Sequence, residues 1–132
     1  MSVKGVLRGL HYQLPPVAQE KLVRVTRGAV FDVAVDIRRS NPTFGEWRGF
    51  ELSATNRNQL WIPEGFAHGF VALTDKAELQ YKTSELYSPG HDRAIRWDDP
   101  DLGIDWQLGG TTPVVGARDA AAPTLADAEI FD

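Results

Sequence analysis

From Phe31 the chain alternates between apolar and polar side chains. Phe31, Val33, Val35 and Ile37 fall on one side of an extended backbone, with Asp32, Asp36 and Arg38 on the other. Period two over that length predicts a full β-strand. Val23-Arg24-Val25 alternates in the same way, and Gly28 between the two runs marks a tight turn. Asn41-Pro42 and Phe44-Gly45 punctuate the next reversal. Further strands are predicted over residues 47–52, 59–62, 66–73, 79–83 and 94–97, with turns at 54–56 and at Pro63-Glu64-Gly65. Val6, Leu7 and Leu10 read as the interior of an early strand. After Pro100 the chain turns to Gly, Pro and Ala, and only residues 125–131 have the pattern of a short helix. Many short strands at this spacing predict an all-β sandwich or barrel. Neither a repeat nor an internal linker interrupts the pattern, so residues 1–132 read as one domain.

Composition narrows the function classes. A length of 132 residues suits one modest core. The net charge of −4 argues against nucleic acid as the main partner, while a local basic pocket remains compatible with it. The absence of cysteine excludes disulfides, thiolate nucleophiles and thiolate metal sites. No apolar stretch is long enough to span a bilayer, and no N-terminal run has signal-peptide length, so a cytoplasmic location with no membrane partner is expected.

Few residues could carry chemistry. Arg8 and His11 lie in the apolar run GVLRGLHYQ. Simple alternation puts Arg8 and Leu10 on one face and His11 on the other, unless a bulge intervenes. A lone histidine there is most often a core or surface residue, and Arg8 and Lys21 alone are ordinary surface charges. In PEGFAHGF, the spacing of Pro63, Gly65 and His68 resembles the second motif of the cupin β-barrels, where the histidine points into the barrel. The partner motif is missing, because His11 is followed by Tyr12 and Gln13. With only three histidines, His11, His68 and His91, a metal would need carboxylates to complete its shell, and none is expected. Tyr81 and Tyr87 lie in LQYKTSELYSP. A strand tyrosine is usually core or interface, but one whose hydroxyl faces a pocket can donate a proton. Asp119 is an acid in an irregular tail; if it reaches a buried histidine it can fix the tautomer and stabilise the imidazolium. The acid-rich DDPDLGIDW lacks the spacing of a calcium loop, and turn chemistry explains it.

Taken together, KGVLRGLHYQLPP, KLVRVTRGAVFDVAVDIRRSNPTFGEW, LWIPEGFAHGF, YKTSELYSP and WDDPDLGIDW resemble the dTDP-4-dehydrorhamnose 3,5-epimerase family. The resemblance runs from Lys4 to about Asp119. It implies a cupin-like jelly-roll barrel, a homodimer, and no metal or other cofactor. It implies a dTDP-4-keto-6-deoxy sugar as substrate, inverted at C3 and C5 by proton abstraction and return. His11 matches the family's catalytic base and Asp119 its paired acid, with Arg118 where the family usually has lysine. Tyr81 matches the acid on the opposite face of the sugar. Arg8 and Lys21 match cations near the substrate, His68 a pocket histidine, and Tyr87 an aromatic beside the nucleotide-sugar. Family members carry a substantial segment ahead of this point, with a strand exchanged between subunits and residues that help bind the nucleotide. Met1-Ser2 stands just ahead of a family motif, so a barrel shortened at the N-terminus is expected, with weaker substrate binding and more self-association through uncovered surface. Three other readings compete: an epimerase acting at one carbon, a non-catalytic nucleotide-sugar binding protein, and a metal-dependent cupin oxygenase.

Overall fold

In the computed structural model, which describes residues 1–132, the alternating runs pair into two facing sheets. The strands are β1 (Val6–Gln13), β2 (Lys21–Arg27), β3 (Ala29–Asp36), β4 (Trp47–Ser53), β5 (Gln59–Ile62), β6 (Phe66–Ala72), β7 (Glu78–Thr83), β8 (Asp92–Ala94) and β9 (Val114–Val115). A one-turn helix, α1 (Ala117–Ala120), follows β9. The larger sheet runs β4-β3-β6-β1-β8, with β9 parallel to the start of β1; the smaller runs β5-β2-β7. No helix is long and apolar enough to cross a membrane.

Both faces of the larger sheet are covered. Val30, Leu52 and Ala72 pack against Val23, Val25 and Ile62 of the smaller sheet. The other face carries Leu7, Leu10, Tyr12, Val33, Val35 and Val71, covered by Ile95, Leu102, Trp106 and Leu125 from the C-terminal segment. The polar side of β3 therefore lies inside the molecule, where Asp32 and Asp36 are buried. A buried carboxylate needs partners. Asp36 receives the Arg38 guanidinium, the Arg38 amide and the Thr43 hydroxyl, and Arg38 also stacks over Phe66.

Three expectations need correction. The last strand of the expected set covers Asp92–Ala94 rather than 94–97, because β1 supplies pairing partners at His11, Tyr12 and Gln13. Residues 125–131 form no helix. Leu125 and Phe131 are drawn onto the apolar face of the larger sheet, and the Phe131 backbone exchanges hydrogen bonds with Ile37 and Arg39. The single helical turn lies instead at α1, where Ala120 donates to the Gly116 carbonyl.

The third correction concerns β1. Leu7 pairs with Val71, Arg8 with Phe70 and His11 with His68. Three steps along β1 thus match two along β6, a β-bulge of one extra residue. The bulge turns His11 onto the same face as Arg8, against simple alternation. Gly9 makes this possible. Its φ is +135°, and a Cβ there would sit 2.6 Å from the Gly69 Cα.

Candidate active site

The bulge aims His11 into a cavity of about 350 Å³ between the two sheets. It also frees a backbone amide, and Asp119 uses both features. Its Oδ1 lies 2.6 Å from His11 Nε2, and its Oδ2 accepts the Gly9 N–H at 3.1 Å. Pairing of Val114 and Val115 with Val6 and Leu7 carries the tail back to β1, and α1 follows immediately. Asp119 is buried on that turn, while the His11 side chain is 34% exposed. An imidazole gripped at Nε2 by a carboxylate has its ring orientation and tautomer fixed. The Asp119 contact falls on Nε2 alone, and Nδ1 makes no hydrogen bond with the protein.

Lys21, Tyr81, Thr83, Tyr87, Asp92 and Arg118 line the same cavity. Lys21 opens β2 in the smaller sheet. Burial lowers its pKa below the ordinary 10.5, while the Asp92 and Asp32 carboxylates pull it back up. Asp92 also holds Arg118, whose Nη2 lies 2.7 Å from its Oδ2. Tyr81 stands opposite Val23 on β7 and is exposed, its ring at the cavity edge. Tyr87 is exposed on the loop between β7 and β8.

The two remaining candidates lie outside the cavity lining. His68 faces His11 across the β1–β6 pairing but is buried, with Nε2 2.9 Å from both oxygens of Asp32. It forms a second histidine–carboxylate pair behind the first. Arg8 shares the face of His11 yet does not line its cavity, and it is exposed. No group of three or more histidine or carboxylate side chains is gathered where a metal could be held.

Sequence reading missed Asp32 as the partner of His68, and Gln13 and Asp92 as cavity residues. Asp32 had no local signal, since alternation puts it on the polar side of β3 and only the second sheet buries that side. Asp92, in a turn-rich stretch, had none either.

The fold and the cavity define an all-β cupin-like barrel equipped for acid–base proton transfer. A histidine–carboxylate pair, a half-buried ammonium and a tyrosine share one pocket without any nucleophilic cysteine or serine. The family model for dTDP-4-dehydrorhamnose 3,5-epimerase matches residues 1–127, and the chain belongs to that family. The dTDP-4-dehydrorhamnose 3,5-epimerase of Pseudomonas aeruginosa is 55% identical over 130 residues, covering 98% of this chain and 71% of that protein. Among solved structures, the Legionella pneumophila dTDP-6-deoxy-D-glucose-3,5-epimerase in complex with dTDP-4-keto-L-rhamnose superposes with a TM-score of 0.92 at 51% identity. That match covers 97% of this chain and 67% of the other. A 3′-monoepimerase from Streptomyces bikiniensis, in complex with dTDP-quinovose, gives 0.88 at 40% identity, covering 95% of this chain and 63% of the other. The architecture is thus the cupin-like jelly roll expected from sequence.

Proposed function

We propose that the chain is an isomerase that inverts C3 and C5 of dTDP-4-keto-6-deoxyglucose, in dTDP-L-rhamnose biosynthesis. The observation that carries this reading is the 2.6 Å contact between His11 and Asp119 in a cavity shared with Lys21 and Tyr81. The protons on C3 and C5 flank the 4-keto group and are acidified by it. Neutral His11 takes one of them, and the C–H electron pair moves onto the carbonyl oxygen as an enolate. Asp119 stabilises the imidazolium that forms. Lys21 stabilises the enolate oxygen, and its partial burial strengthens that interaction. Tyr81 returns a proton from the opposite face, which inverts the centre. Arg8, outside the cavity lining, supplies a cation for the phosphates, His68 backs the pocket, and Tyr87 lies beside the nucleotide-sugar. No cofactor enters these steps. Residues 1–132 act as one domain, in a cytoplasmic homodimer.

A second reading is an epimerase acting at one carbon, for which the same base suffices. The likeness to the Streptomyces bikiniensis 3′-monoepimerase favours it. Proton NMR of dTDP-4-keto-6-deoxyglucose in D₂O separates the two. Loss of both the C3 and C5 proton signals, abolished in His11→Ala, is the expected result. Loss of one signal assigns the single-carbon reaction. If dTDP binds without any exchange, the chain is a binding protein and the catalytic reading is wrong.

A further inference from the structure

Gln13 has no part in the proton transfers, yet it is the most fully hydrogen-bonded side chain beside the cavity. It is buried at 3% exposure, two residues after His11 on β1 and on the same face. Its Oε1 accepts the Ser88 N–H at 2.8 Å. Its Nε2 donates to the Leu86 carbonyl at 3.2 Å and to the Val17 carbonyl at 2.8 Å. Both amide protons and the amide oxygen are therefore engaged with main chain. Two of these bonds fall on residues 86 and 88, either side of Tyr87.

Nothing apolar holds that loop. Residues 84–87 are all exposed, Leu86 at 83% and Tyr87 at 66%. Gln19 and Glu20 anchor it at residues 84 and 85, before the tyrosine is reached. The loop returns through Ser88, whose hydroxyl pairs with His91 at 2.8 Å. Gln13 alone grips the chain on both sides of Tyr87. The strand that carries His11 thus also sets where Tyr87 stands.

We propose that Gln13 is a positioning residue for substrate binding: it clamps the Tyr87 loop to the strand of the base and so fixes the aromatic against the nucleotide-sugar. This role rests on the proposed function and deepens it. Gln13 touches no reacting atom, so it acts on binding and leaves the proton-transfer step intact. Its loss should appear in KM and in dTDP affinity, with kcat largely kept.

The test is a double-mutant cycle over Gln13→Ala, Tyr87→Ala and the pair. Calorimetric binding of dTDP and steady-state epimerisation are the readouts. Gln13→Met, which keeps the buried volume without the hydrogen bonds, serves as the second variant. Each single change should weaken dTDP binding and raise KM about tenfold, with kcat within about threefold. The double variant should be no worse than Tyr87→Ala alone, because the clamp acts through the tyrosine. Unchanged KM in folded Gln13 variants, or losses that multiply fully in the double variant, overturn the role of Gln13. Failure of both Gln13 variants to fold also overturns it, since the residue is then structural. A wild type that neither binds dTDP nor exchanges protons overturns the proposed function, and this role with it; that outcome is read from the wild type alone.

Discussion

Gly9→Ala tests the bulge on which the site depends. Gly9 has a φ of +135°, and the added Cβ would lie 2.6 Å from the Gly69 Cα and 3.0 Å from the His68 carbonyl oxygen. Both contacts are backbone, so no flexible side chain can swing away. A non-glycine residue held in such a conformation costs about 1–3 kcal/mol. Overpacking against a fixed neighbour adds about 1–3 kcal/mol, for roughly 2–6 kcal/mol in all. Domains of this size are stable by only about 5–15 kcal/mol. At roughly 3 °C per kcal/mol for this chain length, Tm should fall by at least about 6 °C. Function should suffer as well. Relief of the clash separates β1 from β6, which draws the Gly9 amide from Asp119 Oδ2 and shifts His11 with it. Thermal unfolding followed by circular dichroism gives Tm, and proton exchange at 20 °C, on the folded variant, gives kcat. We expect kcat to fall at least tenfold, about 1.4 kcal/mol in the barrier. A Tm within about 2 °C of wild type together with an unchanged kcat would refute the reasoning, since β1 would then reach the same geometry without a glycine.

Three other perturbations follow from the same geometry. Tyr81→Phe removes the proton donor opposite His11 while leaving the base: solvent exchange should persist, while inverted product falls by about 10²-fold or more. Comparable losses of exchange and inversion would count against that division of roles. Lys21→Met should lower kcat by about 10²-fold and raise Tm at neutral pH. Burial holds the folded pKa of Lys21 below 10.5, so the unfolded chain binds that proton more tightly. The wild type should therefore gain stability as pH rises from the lowered value towards 10.5, a rise that denaturant titration should not find in Lys21→Met. Asp36→Asn should cost about 1–3 kcal/mol at pH 7 by urea unfolding, since a buried acceptor for Arg38 and Thr43 loses its charge. Burial alone would raise the pKa of Asp36, but its bonds to Arg38 and Thr43 outweigh that and bring it below 3.8. The stabilisation is therefore complete above 3.8 and lost as pH falls through the lowered folded value, so the two curves should converge in acid.

Much of this protein is determined by local pattern. The alternation through Val33, Val35 and Ile37 specifies β3 because one face of a strand must be buried wherever its side chains are apolar. The run at residues 59–62 is β5 to the residue, bounded by turn-forming Asn58 and Pro63. His11, His68 and Tyr81 became candidates through the resemblance of their surrounding motifs to a family, since a lone histidine or strand tyrosine is most often structural. Tertiary structure decided the rest. Which way His11 points depends on a register shift against β6, and register is a relation between two strands that neither sequence segment contains. His11 and Asp119 meet across 108 residues because the tail pairs beside β1. The same tail abandons its helical pattern at residues 125–131, since burying Leu125 and Phe131 on the larger sheet outweighs the local preference of so short a helix. Asp32 and Asp36 look like a polar strand face and are buried, because a second sheet covers that face. Periodicity reports which side chains share a face of a strand. What lies against that face is decided by segments far away in the chain, through packing that has no local signature.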